Sequence, residues 1–367
     1  MSTTTQAAVL RKRGGPYTIE TVELADPGPG QLLIRLAACG ICFTDVGVQR
    51  YEQGTPLPQV LGHEGAGTVL AVGAGVDHVA AGDRVVLSYA SCGTCPSCNH
   101  DHPQYCANFM ALNYAGVLPD GRVPMSQHGQ PIYGGFFGQS SFADHAITYA
   151  RNTVKLPDDV PFALAAPFGC GLQTGAGTAY NTLNVQAHQA FAVMGAGSVG
   201  LAALLAAVDR GCHTIIAVDR VQSRLDLARQ LGATHTILAD GQDLMAALRG
   251  IAALGLDRIV DTTGASAVIR AGVEALASRG ELAMLAVTAP GTEITINPNT
   301  LLGGRSLRGA VEGDADPQTF IPWLIDRHRA GCFDHAPLVT QYPLAAINDA
   351  VADMASGKAV KPVLVMD

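Results

Sequence analysis

Three residues in glycine-flanked turns carry the donor types that a catalytic metal requires. Cys42 follows Gly40, His63 stands in the run Gly62-His63-Glu64-Gly65, and Cys170 lies between Gly169 and Gly171. Two thiolates and one imidazole leave a fourth tetrahedral position for water or substrate, which is the arrangement of a catalytic zinc rather than a structural one. Taken singly, Cys42 and Cys170 read equally well as small buried residues. Together with a histidine, and with Cys170 placed where the chain's pattern changes, they read as ligands. A second cluster needs less weighing. Cys92, Cys95, Cys98 and Cys106 are separated by two, two and seven residues, and four thiolates at such spacing complete a closed tetrahedral shell that stabilises a lobe. Iron–sulfur clusters also take four cysteines, but at other spacings. His100 and His102 in the same loop read as solvated, since the thiolates already fill the shell.

A third motif supplies a place for a redox cofactor. Gly195-Ala196-Gly197-Ser198-Val199-Gly200 follows the apolar run AFAVM and opens a helical pattern, and Asp219 ends the next apolar run. A lone glycine motif is weak evidence. Strand, glycine turn, helix and an acid about 20 residues on make the dinucleotide-binding fingerprint, in which glycines admit the pyrophosphate and the acid takes the ribose hydroxyls. Asp219 repels a 2′-phosphate and so favours NAD over NADP; Arg220 is the counter-signal.

These motifs need elements to hold them. The first 90 residues alternate apolar and polar positions between Gly and Pro turns, the pattern of short antiparallel strands, with strands expected near Gly67–Val72 and Arg84–Leu87. Residues 107–150 read as a glycine-rich, strand-poor loop region, where Phe136, Phe137 and Phe142 are core or pocket wall with equal justification. From about Pro157 strands and helices alternate, with strands expected at 190–194, 214–218, 235–238, 258–261, 281–286 and 306–310. That rhythm means parallel strands with helical crossovers. A helix over Pro317–Arg329, a shorter one over Leu344–Ala355 and a closing strand AVKPVLVM follow, and that strand needs the β-rich first part as a partner. The fold class is therefore α/β, a doubly wound parallel sheet beside a β-rich domain. The division expected is 1–171 with 312–367 for the metal sites and 172–311 for the dinucleotide.

Composition limits the function classes. The chain has 367 residues, long enough for two domains, and a net charge of −8 without a basic run, which argues against nucleic acid. No charge falls between Phe191 and Val208, yet Gly195, Gly197 and Gly200 interrupt that stretch, so a strand and a buried helix fit it better than a membrane span. The N-terminus has no apolar core after its basic residues, and nine cysteines is an odd number. A cytoplasmic, disulfide-free protein is expected.

The residues GHEGAGTVLAVGAGV (62–76), the four-cysteine lobe, FGCGLQTG (168–175) and GAGSVG (195–200) resemble the zinc-containing medium-chain alcohol dehydrogenases over nearly the whole chain. FFGQSSFADHAI (136–147) and KPVLVM are similar to the bacterial aryl-alcohol and allylic terpene alcohol dehydrogenases within that family. The resemblance implies a Rossmann domain and a GroES-like catalytic domain with a structural zinc lobe, two zinc ions per chain, NAD, and a homodimer or homotetramer. It implies Cys42, His63 and Cys170 as catalytic zinc ligands, Asp45 orienting the histidine, Glu64 as an acid able to replace a ligand, and Thr44 bonded to the alcohol. Thr174 and Val199 would pack on the nicotinamide, Arg224 lie near the adenosine ribose and Lys361 near the pyrophosphate, while Phe136 would line the substrate pocket. For Arg224 and Lys361 the plain alternative is a solvated surface cation. The implied reaction is reversible oxidation of a primary aromatic or allylic alcohol to its aldehyde. Zinc acidifies the alcohol, Thr44 takes the proton and a hydride passes to NAD. A glutathione-dependent formaldehyde dehydrogenase and a non-catalytic NAD-binding sensor are the alternatives.

The pattern departs from the family beside the first ligand. Many relatives end the proton relay from the threonine in a histidine next to the first cysteine ligand or five residues after it. Here those positions are Phe43 and Gly47, so the relay must end in water or in a histidine from elsewhere. Phe43 also stands where a cation often faces the pyrophosphate. Faster NADH release than in relatives carrying that cation is expected. Stopped-flow measurement should show slower NADH dissociation in Phe43→His, and an unchanged rate would refute the assignment.

Overall fold

A computed structural model describes residues 3–51, 55–289 and 291–366; Glu52–Gly54, inside the loop between Cys42 and His63, lie outside the described residues. The described chain divides into two compact units. One comprises Met1–Cys170, Asp316–Asp326 and Ala336–Asp367, and the other Gly171–Ala315 and Arg327–His335.

The first unit is built on two sheets. Five strands, Gln59–Val60, Thr3–Leu10, Tyr17–Leu24, Met125–Gln127 and Gln130–Ile132, pair in that order. The second sheet centres on Gln31–Gly40, which pairs antiparallel with Glu64–Val72 on one side and with Lys361–Val365 on the other. The closing strand thus finds its partner in the β-rich part, as its apolar run required. Residues 107–150 are richer in structure than the expected loop. Phe109–Tyr114 is helical, and His145–Tyr149 pairs with Gln31–Gly40. The strand escapes a reading by glycine content because Ala146, Ile147 and Thr148 are all buried, so no polar alternation marks it.

The second unit holds six parallel strands in the spatial order His235–Leu238, Thr214–Asp219, Ala190–Met194, Leu256–Asp261, Leu276–Met284 and Ser306–Gly309. Numbered along the chain this is 3-2-1-4-5-6, the dinucleotide-binding order. Residues 312–315 and 327–335 cluster with this unit rather than with the first, where the sequence reading put them. Asp314 accepts a hydrogen bond from Thr182 Oγ1 at 2.8 Å, and Arg327 pairs with Asp209. The uncharged run 191–208 divides into the strand Ala190–Met194 and the helix Ser198–Asp209. No helix among the described residues is long and apolar enough to cross a membrane.

Glycine chemistry fixes how close helix and strand come. A Cβ on Gly200 would stand 1.9 Å from the Gly195 carbonyl oxygen, and one on Gly175 would stand 2.0 Å from that of Val199. By contrast Gly250, in the helix Leu244–Ile251, has nothing within 4 Å of such a Cβ. The same substitution should therefore have opposite signs. Gly200→Ala is expected to lower the stability of the second unit by about 1–3 kcal/mol through overpacking. Gly250→Ala should raise it by roughly 0.4–1 kcal/mol through helix propensity and a less flexible unfolded chain. Thermal melts of the two variants moving in the same direction would contradict this packing.

Candidate functional site

Cys42 is the N-cap of the helix Phe43–Arg50, and Asp45 is its third residue. The Asp45 carboxylate does three things from a fully buried position. Its Oδ2 accepts the Cys42 N–H at 2.9 Å, and its Oδ1 accepts the Gly62 N–H at 3.1 Å and the His63 Nδ1–H at 2.9 Å. The first bond is half of a capping box. The third holds the ring proton on Nδ1 and leaves the Nε2 lone pair to bind. Gly62 takes φ +93°, and a Cβ there would lie 2.5 Å from the Phe142 nitrogen, so the turn before His63 requires glycine.

The far ring nitrogen has no hydrogen-bond partner although it is buried. Ligand atoms of Cys42, His63, Glu64 and Cys170 lie within 4.8 Å of one another. A tetrahedral zinc with sulfur and nitrogen donors spaces them by about 3.3–3.8 Å, so this donor set fits a zinc ion with little adjustment. The Cys42 thiol is held well below its ordinary range, chiefly by its hydrogen bond with Cys170 and against the pull of burial, and the thiolate is the form that binds a metal. Thr44 Oγ1 stands 3.6 Å from Cys42 Sγ. Cys170 is brought to the cluster by the turn at Gly169, whose carbonyl accepts a bond of 2.7 Å from Ser88 Oγ.

Glu64 does not face solvent. Its two oxygens accept from Lys361 Nζ at 2.8 and 2.9 Å, and the same ammonium donates to the Ile41 carbonyl at 3.2 Å. Lys361 is 1 % exposed. Burial disfavours its charge, but the adjacent Glu64 carboxylate raises its pKa above the lysine range. This corrects the reading of Lys361 as a solvated cation, since its ammonium is buried against Glu64. Removing one member of such a pair strands the other, at a cost of about 3–5 kcal/mol. Gly40 makes room for the pair, since a Cβ there would stand 1.9 Å from Glu64 Oε2.

Sequence reasoning missed Gln139. This buried side chain donates to the His63 carbonyl at 2.9 Å and the Ser88 carbonyl at 3.1 Å, and accepts from Gly65 N at 3.0 Å and Ser141 Oγ at 2.7 Å. All four of its hydrogen-bonding positions are used, so it fixes His63 and the start of the strand Glu64–Val72. Phe137 stacks on the His63 ring at 4.5 Å and Phe136 meets it edge-on at 5.5 Å. The choice left open between core and wall is resolved toward core. Phe136 is 2 % exposed, and it backs the imidazole rather than lining an open pocket. Only the Gly135-Phe136-Phe137-Gly138-Gln139 run itself hinted at these roles.

The four-cysteine lobe is as compact as its spacing implies. Sulfur pairs stand at 3.5 Å (Cys95–Cys98), 3.9 Å (Cys92–Cys98) and 4.0 Å (Cys95–Cys106). A tetrahedral zinc with bonds of about 2.3 Å sets its sulfurs about 3.8 Å apart, whereas a disulfide needs about 2.05 Å. Backbone N–H groups of Cys95, Cys92, Ala107 and Asn108 point at the sulfurs of Cys92, Cys106, Cys95 and Cys106 at 3.3–3.4 Å. Such donors favour thiolates. The Cys92 thiol is lowered to about 5, first by the Thr94 backbone.

In the second unit the glycine turn has the form a dinucleotide requires. Gly195 adopts φ +97° at the end of its strand, and a Cβ on Gly197 would meet nothing within 4 Å, leaving an open face at the start of the helix Ser198–Asp209. Asp219 spans the turn: Oδ2 accepts Ala196 N at 2.7 Å and Oδ1 accepts Val221 N at 2.9 Å. Each oxygen keeps a lone pair for a ribose hydroxyl. Arg224 is no solvated cation either, since its Nη1 lies 3.8 Å from Asp219 Oδ2 with the side chain 13 % exposed. Val199 follows in the first turn of the helix, and Thr174 lies in the helix Gly171–Gly177, whose Gly175 packs on the Val199 carbonyl.

Asp45→Asn replaces an acceptor of three bonds by a group with one acceptor oxygen, leaving at least one buried donor without a partner. Zinc affinity at the Cys42 cluster should fall by roughly 10–100-fold while the four-cysteine lobe keeps its metal. Metal analysis after graded chelator treatment should show one zinc lost early and one retained. Loss of both together, or of neither, would overturn the assigned role of Asp45.

Comparison with known proteins bears on both units. Residues 28–158 match the family described as alcohol dehydrogenase GroES-like domain, and residues 198–327 match zinc-binding dehydrogenase. The chain is 44 % identical to a geraniol dehydrogenase of Castellaniella defragrans, over 98 % of this chain and 97 % of that protein. Among solved structures, an alcohol dehydrogenase zinc-binding domain protein of Burkholderia ambifaria superposes with a TM-score of 0.98 at 45 % identity, covering all of both chains. Benzyl alcohol dehydrogenase of Acinetobacter calcoaceticus does so with a TM-score of 0.96 at 40 % identity, also over the full length of both. With its two donor clusters and its glycine turn in place, the chain belongs to the zinc-binding, medium-chain alcohol dehydrogenases.

Proposed function

We propose that this protein oxidises primary aromatic or allylic alcohols, of benzyl or geraniol type, to aldehydes with NAD, and runs the reverse reduction. The observation that carries the reading is the convergence of Cys42, His63 and Cys170, with a partnerless imidazole nitrogen facing two thiols. The names of the geraniol and benzyl alcohol dehydrogenases, at 44 % and 40 % identity, support the substrate class.

Cys42, His63 and Cys170 would hold the catalytic zinc and the four-cysteine lobe a structural one. The catalytic ion supplies Lewis-acid chemistry that makes an alcohol oxygen acidic near neutral pH. Thr44 Oγ1, beside the Cys42 sulfur, is the hydroxyl placed to receive the alcohol proton. Neither Phe43 nor Gly47 carries a titratable group, so the proton goes on to water or to a histidine from elsewhere. Asp45 holds His63 in its ligand tautomer. Glu64, fixed by Lys361, stays next to the ligand set, where it is available as an alternative donor. In the second unit the turn Gly195–Gly200 would take the pyrophosphate and Asp219 the adenosine ribose, with Arg224 beside it, while Thr174 and Val199 would pack on the nicotinamide. The unpaired outer edge of the strand Ser306–Gly309 and the exposed Leu302 and Val287 support assembly as a homo-oligomer. Nine cysteines, none of them in a disulfide, suit a reducing cytoplasm.

Metal analysis combined with an alcohol panel tests the reading. Two zinc ions per chain, NAD-linked turnover at least tenfold faster with benzyl- or geraniol-type alcohols than with ethanol, and a solution mass above the 37.9 kDa of one chain are expected. Turnover that requires formaldehyde with glutathione would replace it by the glutathione-dependent reaction. Bound NAD, one zinc and no oxidation of any alcohol would make the protein a sensor.

A further inference from the structure

The mechanism above leaves two buried carboxylates without a task, Asp261 and Glu312. Glu312 follows the parallel strand Ser306–Gly309 and is 7 % exposed. Its Oε2 accepts hydrogen bonds from Gln173 Nε2 and from Thr174 Oγ1, both at 3.1 Å. Two donors on one oxygen suit an ionised carboxylate. The turn that carries it is held in an uncommon conformation, since Glu312, Gly313 and Asp314 have φ of +50°, +68° and +51° in succession. Only the glycine adopts this region without strain. The surroundings hold the turn there. A Cβ on Gly313 would meet the Gln173 carbonyl at 2.5 Å, Asn181 Nδ2 donates to the Gly313 carbonyl at 3.2 Å, and Asp314 is bound by Thr182 and Arg308. Backbone held in such a conformation points to a function for the side chain it aims.

The location says which function. Glu312 lies beyond the carboxyl end of one parallel strand, as Gly195 does of a second, while Asp219 ends a third, and ligands of such sheets bind outside those ends. The helix it bonds, Gly171–Gly177, is the one whose Gly175 packs on Val199 in the first turn after the glycine motif. The carboxylate is therefore one hydrogen bond removed from Thr174, the residue assigned to the nicotinamide face.

We infer that Glu312 is a positioning residue for the nicotinamide end of the dinucleotide site, and that its fixed negative charge favours the oxidised cofactor over the reduced one. This rests on the reading of Thr174 as a nicotinamide contact. The ring of NAD carries a positive charge. A hydride from the alcohol carbon brings two electrons and a proton to it, and the ring of NADH is neutral. A carboxylate behind Thr174 attracts the first ring and is indifferent to the second, and a buried setting weakens that attraction less than water does. The same carboxylate keeps the Thr174 hydroxyl turned inward, which leaves its methyl group for the ring.

Calorimetric titration of zinc-loaded protein with NAD, and fluorescence titration with NADH, test this without turnover. Glu312→Gln keeps an acceptor oxygen for Thr174 and removes the charge. Its dissociation constant for NAD should rise about tenfold, equivalent to about 1.4 kcal/mol, with that for NADH changed less than twofold. Glu312→Asp keeps the charge but withdraws it from Thr174, and should weaken both cofactors. Equal weakening of both cofactors in Glu312→Gln would show a merely structural role, and no change in either would remove Glu312 from the site; both results overturn the inference. Thermal melts identify a variant that fails to fold, in which case Glu312→Asp must still show a larger loss for NAD than for NADH or the inference fails. Wild-type protein that binds neither cofactor would overturn the underlying dinucleotide reading instead, which separates the two failures.

Discussion

One buried carboxylate holds the metal-binding half of this molecule together. Asp45 ties the start of a helix, the glycine turn before His63 and the imidazole itself to two oxygen atoms. Everything else at the site is arranged around that fixed point. With the ring plane set by Asp45, Phe137 can stack on one face and Phe136 can close an edge. With the backbone around His63 set, Gln139 can use two of its four hydrogen-bonding positions on it. A buried charge without partners would cost several kcal/mol. Three N–H donors at 2.9–3.1 Å turn that liability into a device that leaves the imidazole only one orientation.

The second unit reaches the same rigidity by a different route. Charge is sparse in its interior, and the missing side chains of Gly175, Gly177 and Gly200 let backbone press on backbone. At Gly197 the missing side chain leaves open space instead. The glycines of one short segment thus serve opposite ends, close packing at Gly200 and ligand access at Gly197, and the letters of the motif alone do not tell which serves which.

Much of this was legible in the sequence where the signal is local. The four-cysteine spacing, the strand–glycine–helix–acid order at 190–219 and the strand–helix alternation that follows depend on residues near one another in the chain, and the structure reproduces them. What stayed hidden depends on partners far apart. Lys361 looks like any basic residue until its strand pairs with Gln31–Gly40 and delivers the ammonium to Glu64. Gln139 looks like a loop glutamine until the segments that carry His63 and Ser88 meet on it. The strand His145–Tyr149 is buried nearly throughout, so the alternation that marks a half-exposed strand is absent. Glu312 is hidden for a related reason. A glutamate beside glycine reads as a surface turn, and only the approach of Gln173 and Thr174 shows that it is interior.

The Lys361–Glu64 pair spans 297 positions, and that separation bears on the order of assembly. Closing so long a loop costs little more than closing one half its length, about 0.6 kcal/mol. It is nonetheless a slow, non-local contact of the kind formed late in folding. Until it forms, the Glu64 carboxylate lacks the Lys361 ammonium that it holds in the native structure. A growing chain therefore has its donor set before it has the Lys361 counter-charge, since Cys42, His63 and Cys170 all precede that strand. Metal held at this cluster records that Cys42, His63 and Cys170, far apart in the chain, have been brought together.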